Sequence, residues 1–231
     1  IFPTWNALEA VPSDYKYYGG RVGTYGGSGR NFGLQNSDLL IAIGSRVSGR
    51  ITGGNLKTFA RAAKKYVVDV DTTILQKKLQ QVPFDVSIHA DAKLFLERLA
   101  LKLKDVKLRD VSLWTSQVIK WRDIYDPVRP EFFKQEKFVN QYAFMRTLSL
   151  VMKSRDILVA DCGGNIVTSN HAFETKNGQH YITNNGNSPM GFSFCGAMGA
   201  WFASDKRANV VCIIGDGGFT MNIQELQTLL T

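Results

Sequence analysis

The sequence predicts an α/β fold made of two parallel-sheet α/β/α units, and three observations carry that prediction. From Asp38 onward, short β-branched runs alternate with helical patterns, as they do where parallel strands are joined by crossover helices. The alternation lapses between about residues 104 and 136, where charge and aromatics accumulate around Pro127 and Pro130. In the later unit each strand ends in Gly, Asn or Asp, the residue types that suit a crevice at the carboxyl edge of an open sheet. A chain of 231 residues can hold one or two domains, and this pattern divides it into 1–104, a connecting segment 105–136, and 137–231.

Taken in order, "DLLIAIG" (Asp38–Gly44) reads as a buried strand, Asn55–Ala63 as a helix and "YVVDVD" (Tyr66–Asp71) as a second strand. A helix around Thr72–Gln80 leads to the strand "DVSIHAD" (Asp85–Asp91). Its last residue, Asp91, is placed to cap an amphipathic helix through Leu94, Leu96, Leu99 and Leu103. The connecting segment carries one short helix, around Ser112–Tyr125. The second unit then runs helix Phe138–Met152, strand Asp156–Asp161, a helix from Asn165, strand Gln179–Thr183, helix Met190–Ala203, strand Asn209–Ile214 and a helix from Asn222. Asn222 and Glu225 have capping-box spacing, which gives Glu225 a structural role.

Composition excludes several classes. Hydrophobic content of 44% with 21% charge is that of a soluble globular protein. No apolar run approaches the roughly 20 residues of a membrane span, so no membrane partner is expected. Cys162, Cys195 and Cys212 show no CxxC spacing, which indicates neither a disulfide framework nor a zinc site and fits a reducing cytoplasm. No signal peptide is visible, and a chain that opens on Ile1 points to truncation. The net charge of +8 raises the question of a polyanionic partner. The lysines, however, fall in short groups (Lys64-Lys65, Lys77-Lys78, Lys102/Lys104/Lys107) at the ends of expected helices, where cations suit the macrodipole and solvent. Nucleic acid is therefore not an expected partner.

The chemistry concentrates at three strand ends, "DCGGN" (Asp161–Asn165), "NNGNSPMG" (Asn184–Gly191) and "GDGG" (Gly215–Gly218). Glycines let backbone N–H groups approach a ligand and the following helix N-termini favour negative charge, so a phosphate-bearing ligand is expected. An acid such as Asp216 repels bare phosphate, and a hard divalent cation, Mg²⁺, reconciles the two by taking carboxylate and phosphate oxygens together. Simpler readings stand beside this one. Asp216 could be a turn residue next to Gly217, and Met221 a core residue. Gly191, Gly196, Ala197, Gly199 and Ala200 could serve only close helix–sheet packing. Cys162, His171 and His180 read as structural, since no partner for nucleophilic catalysis is identifiable.

In combination, "VCIIGDGGFTMNIQELQTL" resembles the first half of the diphosphate-binding motif of thiamine diphosphate (ThDP) enzymes, in which GDG opens the motif and an Asn closes it further on. Nearly the whole chain is similar to the acetolactate synthase-like family. "DCGGNIV" and "TNNGNSPMGFSFCGAMGA" parallel two of its Gly-rich stretches, and "GRVGTYGG", "NSDLLIAIGSRVSGRITG", "VDVD" and "HADAK" parallel its Rossmann-like central domain. The resemblance implies ThDP and Mg²⁺ as cofactors, Asp216 as a Mg²⁺ ligand, and Gly164, Asn165, Met190, Gly217 and Gly218 around ThDP, with Met221 propping its bent shape. It implies FAD in the central domain against Tyr25, Gly44, Arg46, Asp69 and Asp91, the Arg46 guanidinium suiting a diphosphate bridge.

The implied reaction is decarboxylation of a 2-keto acid such as pyruvate with carboligation to a second carbonyl, in a homodimer or tetramer. Asn165 and Ile166 stand where acetolactate synthases carry Gln-His, Ser188 replaces a Gly, and Tyr25 stands where His is usual. The Asn165, Ile166 and Ser188 departures bear on the substrate side of the pocket and Tyr25 on FAD. "NNGNSPMG" resembles ThDP-binding proteins of surface-glycan clusters more closely, which implies as alternatives a related ThDP-dependent carboligase of nucleotide-sugar or surface-glycan synthesis and a non-catalytic cofactor-binding remnant. Only fifteen residues follow Asp216. The second Mg²⁺ ligand and the activating Glu are thus expected outside a truncated diphosphate-binding domain, and the fragment by itself is expected to be inactive.

Overall fold

The computed structural model describes residues 1–24 and 26–230. The expected FAD-contacting Tyr25 lies outside the described residues. Two three-stranded parallel sheets with flanking helices make up the fold, in agreement with the α/β prediction.

Residues 22–125, with Phe2, form one compact unit. Its elements are α1 (Ser28–Gln35), β1 (Leu39–Ile43), α2 (Gly49–Thr52), β2 (Lys64–Asp69), α3 (Thr72–Leu75), β3 (Val86–His89), α4 (Ala92–Leu103) and α5 (Ser112–Ile124). The sheet has the order β1-β2-β3 with all pairs parallel, and Val67 and Val68 of the central strand are fully buried. Burial on both faces is what a β-branched pair at the centre of a parallel sheet provides.

Several sequence expectations change here. Asn55–Ala63 is not a helix but a single 3₁₀ turn, Leu56–Thr58, because Ala60 adopts φ +41° and its N–H goes to Gln35 Oε1 at 2.7 Å. The expected helix Thr72–Gln80 is α3 followed by a separate 3₁₀ turn, Lys77–Leu79. Asp91 caps α4 as expected, its Oδ1 accepting from the Leu94 N–H at 3.0 Å. The leucines of α4 do not make a buried stripe, since no residue of the helix is buried and Leu94 and Leu96 are exposed.

α1, built on "SGRNFGLQ", was not expected. Its glycines serve close packing: a Cβ at Gly29 would overlap the Trp121 carbonyl of α5, and one at Gly33 would lie 2.7 Å from Phe2. Edge-on contacts of Phe32 with Trp121 and Tyr125, centroids 6.0 and 5.4 Å apart, complete that seam. α5, in the expected connecting segment, is therefore part of this unit.

The second unit contains Ile1 and residues 3–21 together with the described residues from 126 onward. Its elements are α6 (Gln141–Val151), β4 (Ile157–Ala160), α7 (Gly164–Ala172), β5 (His180–Thr183), α8 (Phe192–Ala203), β6 (Val210–Ile213), α9 (Asp216–Met221) and α10 (Leu226–Leu229). The sheet order is β5-β4-β6, all parallel, and every residue of the central β4 is buried. Residues near the N-terminus belong here because they close the β5 edge. Glu9, in the 3₁₀ turn Trp5–Ala10, accepts the Tyr181 N–H through Oε2 at 2.6 Å, and Thr175 Oγ1 donates to the Leu8 carbonyl. A carboxylate on a free edge N–H satisfies a group that the ladder leaves unpaired.

At the C-terminal end the helix starts at Asp216 rather than Asn222. Asn222 makes no side-chain cap, and Glu225 Oε2 accepts from Thr228 Oγ1, so the capping box does not form. Among the described residues no helix is long and apolar enough to cross a membrane.

Candidate functional site

The order β5-β4-β6 brings the loops after all three strands to one sheet edge, where the sequence placed the glycine-rich ends. Asp161 follows β4 and is buried, with 2% of its surface exposed. Its Oδ2 accepts the Gly191 N–H at 3.0 Å and its Oδ1 the Ser193 N–H at 3.4 Å. It thus satisfies N–H groups at the start of α8 that have no intrahelical partner, and its charge sits at the favourable end of the helix dipole.

The third loop closes on the same place. A Cβ at Gly218 would collide with Asp161 Oδ2 and lie 3.1 Å from Ile214 Cγ1, so only glycine fits. Gly191 adopts φ +87°, and a Cβ there would run into Asn222 Nδ2. The Asn222 amide donates to the Gly191 carbonyl at 3.1 Å. Sequence reasoning missed both side chains as site residues. Asp161 lay inside a quoted motif and Asn222 matched a local pattern, while the partners that matter lie 30 and 31 residues away.

The expected cofactor-contacting residues fall around this junction. Gly164 and Asn165 open α7, and Gly163 before them has φ +72° with nothing within 4 Å of a Cβ position, so the first turn of α7 is open to a ligand. A Cβ at Gly215 would lie 3.7 Å from Asn165 Nδ2, and one at Gly217 3.1 Å from Met190 Cε. Residues from all three loops are therefore neighbours. Met190 and Met221 are 49% and 58% exposed, which decides against a core role for Met221. Asp216 is exposed in the first turn of α9, its Oδ1 accepting the Gly217 N–H at 2.8 Å.

Among the described residues no three His, Cys, Asp or Glu side chains gather to hold a metal. Mg²⁺ ordinarily takes one or two carboxylates and completes its shell with phosphate oxygens and water. The exposed Asp216 carboxylate is one donor of the kind Mg²⁺ accepts. The exposed Gly163–Gly164 turn leaves backbone that a diphosphate can approach.

The two histidines expected to be structural face side-chain partners. Tyr142 Oη lies 3.0 Å from His171 Nδ1, and His180 Nδ1 is 3.4 Å from Glu9 Oε1. Burial and the neighbouring Asp161 charge push the Cys162 thiol up, and burial does the same for Cys212, the opposite direction to that of an activated thiol.

At the carboxyl edge of the other sheet, Gly44 follows β1 with φ +60° and open space around it, and Arg46 is exposed two residues on. Asp69 ends β2, buried, with Oδ1 accepting the Asp71 N–H at 2.9 Å. The Asp69 and Asp91 carboxylates are thus already bonded to nearby backbone.

Two family models match the chain: thiamine pyrophosphate enzyme, central domain, over residues 1–99, and thiamine pyrophosphate enzyme, C-terminal TPP binding domain, over residues 161–231. The chain belongs to the thiamine pyrophosphate enzymes. Within that family it is 33% identical over 94% of its length to a probable acetolactate synthase large subunit of Methanocaldococcus jannaschii, and 36% identical over 91% to one of Methanococcus aeolicus. It is 31% identical over 98% of its length to the acetolactate synthase isozyme 2 large subunit of Escherichia coli K12. The chain spans 36%, 36% and 39% of those relatives, respectively. The thiamine pyrophosphate enzyme signature and the converging loops therefore fall on the same residues.

Proposed function

We propose that this chain carries the diphosphate-binding edge of a ThDP- and Mg²⁺-dependent enzyme that decarboxylates a 2-keto acid such as pyruvate and joins the product to a second carbonyl. The supporting observation is the convergence of Gly164, Asn165, Met190, Gly217 and Gly218 beside an exposed Asp216. Relatives that are acetolactate synthase large subunits support the reaction class.

When bound, ThDP supplies the electron sink for decarboxylation, and the protein's part is binding and orientation. Asp216 would give one carboxylate oxygen to Mg²⁺. The exposed backbone at Gly164, with Asn165 beside it, would face the diphosphate, while Gly217 and Gly218 would let the Asp216 turn pack close to Met190 and Asp161. Met190 and Met221 would present apolar surface to the ring system. FAD at the carboxyl edge of the other sheet would rest chiefly on Gly44 and on Arg46, whose fork of donors matches a diphosphate. A homodimer or tetramer in the cytoplasm completes the reading.

Calorimetry on the full-length gene product tests it. Tight ThDP binding that requires Mg²⁺ and is lost in Asp216→Ala is the expected result. Unaltered affinity in that variant would overturn the metal assignment. Flavin absorbance retained by the purified wild type and lost in Arg46→Ala would test the second site.

A further inference from the structure

Gly191 is held from both sides by side chains of different elements. Asp161, at the end of β4, accepts its N–H, and Asn222, just after α9, donates to its carbonyl. Neither contact is local in sequence, and both act on a residue whose φ of +87° only glycine adopts without strain. Gly218, in α9, closes the same junction, because its missing Cβ leaves the room that Asp161 Oδ2 occupies.

The elements so joined carry the candidate cofactor contacts. Met190 precedes Gly191 directly, Met221 precedes Asn222 directly, and Asp216 opens the helix that Asn222 follows. Fixing Gly191 against Asn222 therefore fixes Met190 relative to Met221 and to the Asp216 carboxylate. A displacement of 1 Å at such a junction is enough to lower the efficiency of a bound constellation about 100-fold.

We propose that Asp161 and Asn222 are positioning residues that clamp Gly191, and through it set the spacing between Met190 and the Asp216 turn. This rests on the ThDP reading above for its purpose, and on the hydrogen bonds alone for its existence. The isosteric variants separate the two. Asn222→Asp puts an acceptor where the Gly191 carbonyl needs a donor, with no change of side-chain size, at a half-buried position. Asp161→Asn keeps one acceptor oxygen and sets an NH₂ group against the second N–H.

Both variants, their double variant and the wild type would be prepared as full-length protein and read in two ways. Amide exchange of the apoprotein at Gly191 and Ser193 should quicken at least tenfold in each variant. Calorimetry with Mg²⁺ and ThDP should show affinity lowered about tenfold or more by each. The double variant should be little worse than the poorer single one, because both act through one residue. Independent structural roles would instead add.

Unchanged exchange would overturn the clamp whatever the cofactor does. Faster exchange with unchanged ThDP affinity would overturn its positioning role. A wild type that binds no ThDP while the exchange changes appear would overturn the proposed function and, with it, the purpose assigned to an existing clamp.

Discussion

At the ends of β2 and β3 each acid bonds to its own neighbourhood: Asp69 takes the N–H of Asp71, Asp71 that of Thr73 and Asp91 that of Leu94. At the end of β4, Asp161 passes over its own loop to take the N–H groups of Gly191 and Ser193, 30 and 32 residues on. One edge is a row of separately capped loops; the other is cross-braced. The difference shows that the same residue type at the same topological place can finish one loop or lock several together.

The largest expected effect is at Asp161. Asp161→Ala leaves two buried N–H groups without partners, and unfolding by denaturant should show about 3 kcal/mol of lost stability. A loss below about 1 kcal/mol would mean the junction is held by something other than its carboxylate.

The glycines sharpen it. Gly44 and Gly191 both have positive φ, but space is open around Gly44 and filled around Gly191 by Asn222 Nδ2 and the Gly218 carbonyl. Gly44→Ala should cost about 1 kcal/mol, the backbone penalty alone. Gly191→Ala should cost at least twice that, because overpacking adds to it. Equal losses in thermal or denaturant unfolding would remove the distinction between an open edge and a braced one.

This contrast also accounts for what the sequence made legible. Strands β1 to β6 were readable from β-branched runs, and the Asp91 cap from spacing, because periodicity and capping are local. α1 was not, since "SGRNFGLQ" has two glycines and an Asn in eight residues and is held by tertiary packing, the close approach of Gly29 and Gly33 to Trp121 and Phe2 together with the Phe32 ring contacts. The capping-box reading of Asn222 failed for the same reason in reverse. Its pattern was local and correct in form, while its amide found a partner 31 residues away. Within the candidate site, the glycines and Asp216 could be picked out as chemistry-bearing residue types. The side chains that hold them in place could not, because hydrogen bonds between distant loops leave no spacing to read.

Tyr181 gives a pH handle on the braced unit. Burial pushes its hydroxyl up to about 12, against hydrogen bonding from Ser169 and the Arg21 charge, which act the other way. The folded state holds the proton more tightly than the unfolded chain, so this contribution is intact below pH 10. Between pH 10 and about 12 the unfolded state releases the proton first, and stability falls by up to about 1.4 kcal/mol per pH unit. Tyr181→Phe should lose less stability than wild type across that window while being less stable at neutral pH, where its bonds to Ser169 and Asn170 are missing. Parallel alkaline profiles would refute the assignment.

The smallest effect expected is also the one that tests independence. Asp91→Ala removes a cap and should cost about 1 kcal/mol. Combined with Gly44→Ala on the same sheet edge, it should add to within about 0.5 kcal/mol, because neither residue bonds to the other's loop. The corresponding pair on the other edge, Asp161→Ala with Gly191→Ala, should fall well short of additivity, since the second change disturbs a junction that the first has already opened. Additive losses in both pairs would mean that Asp161 acts as one more local cap, and the two edges would then differ in composition only.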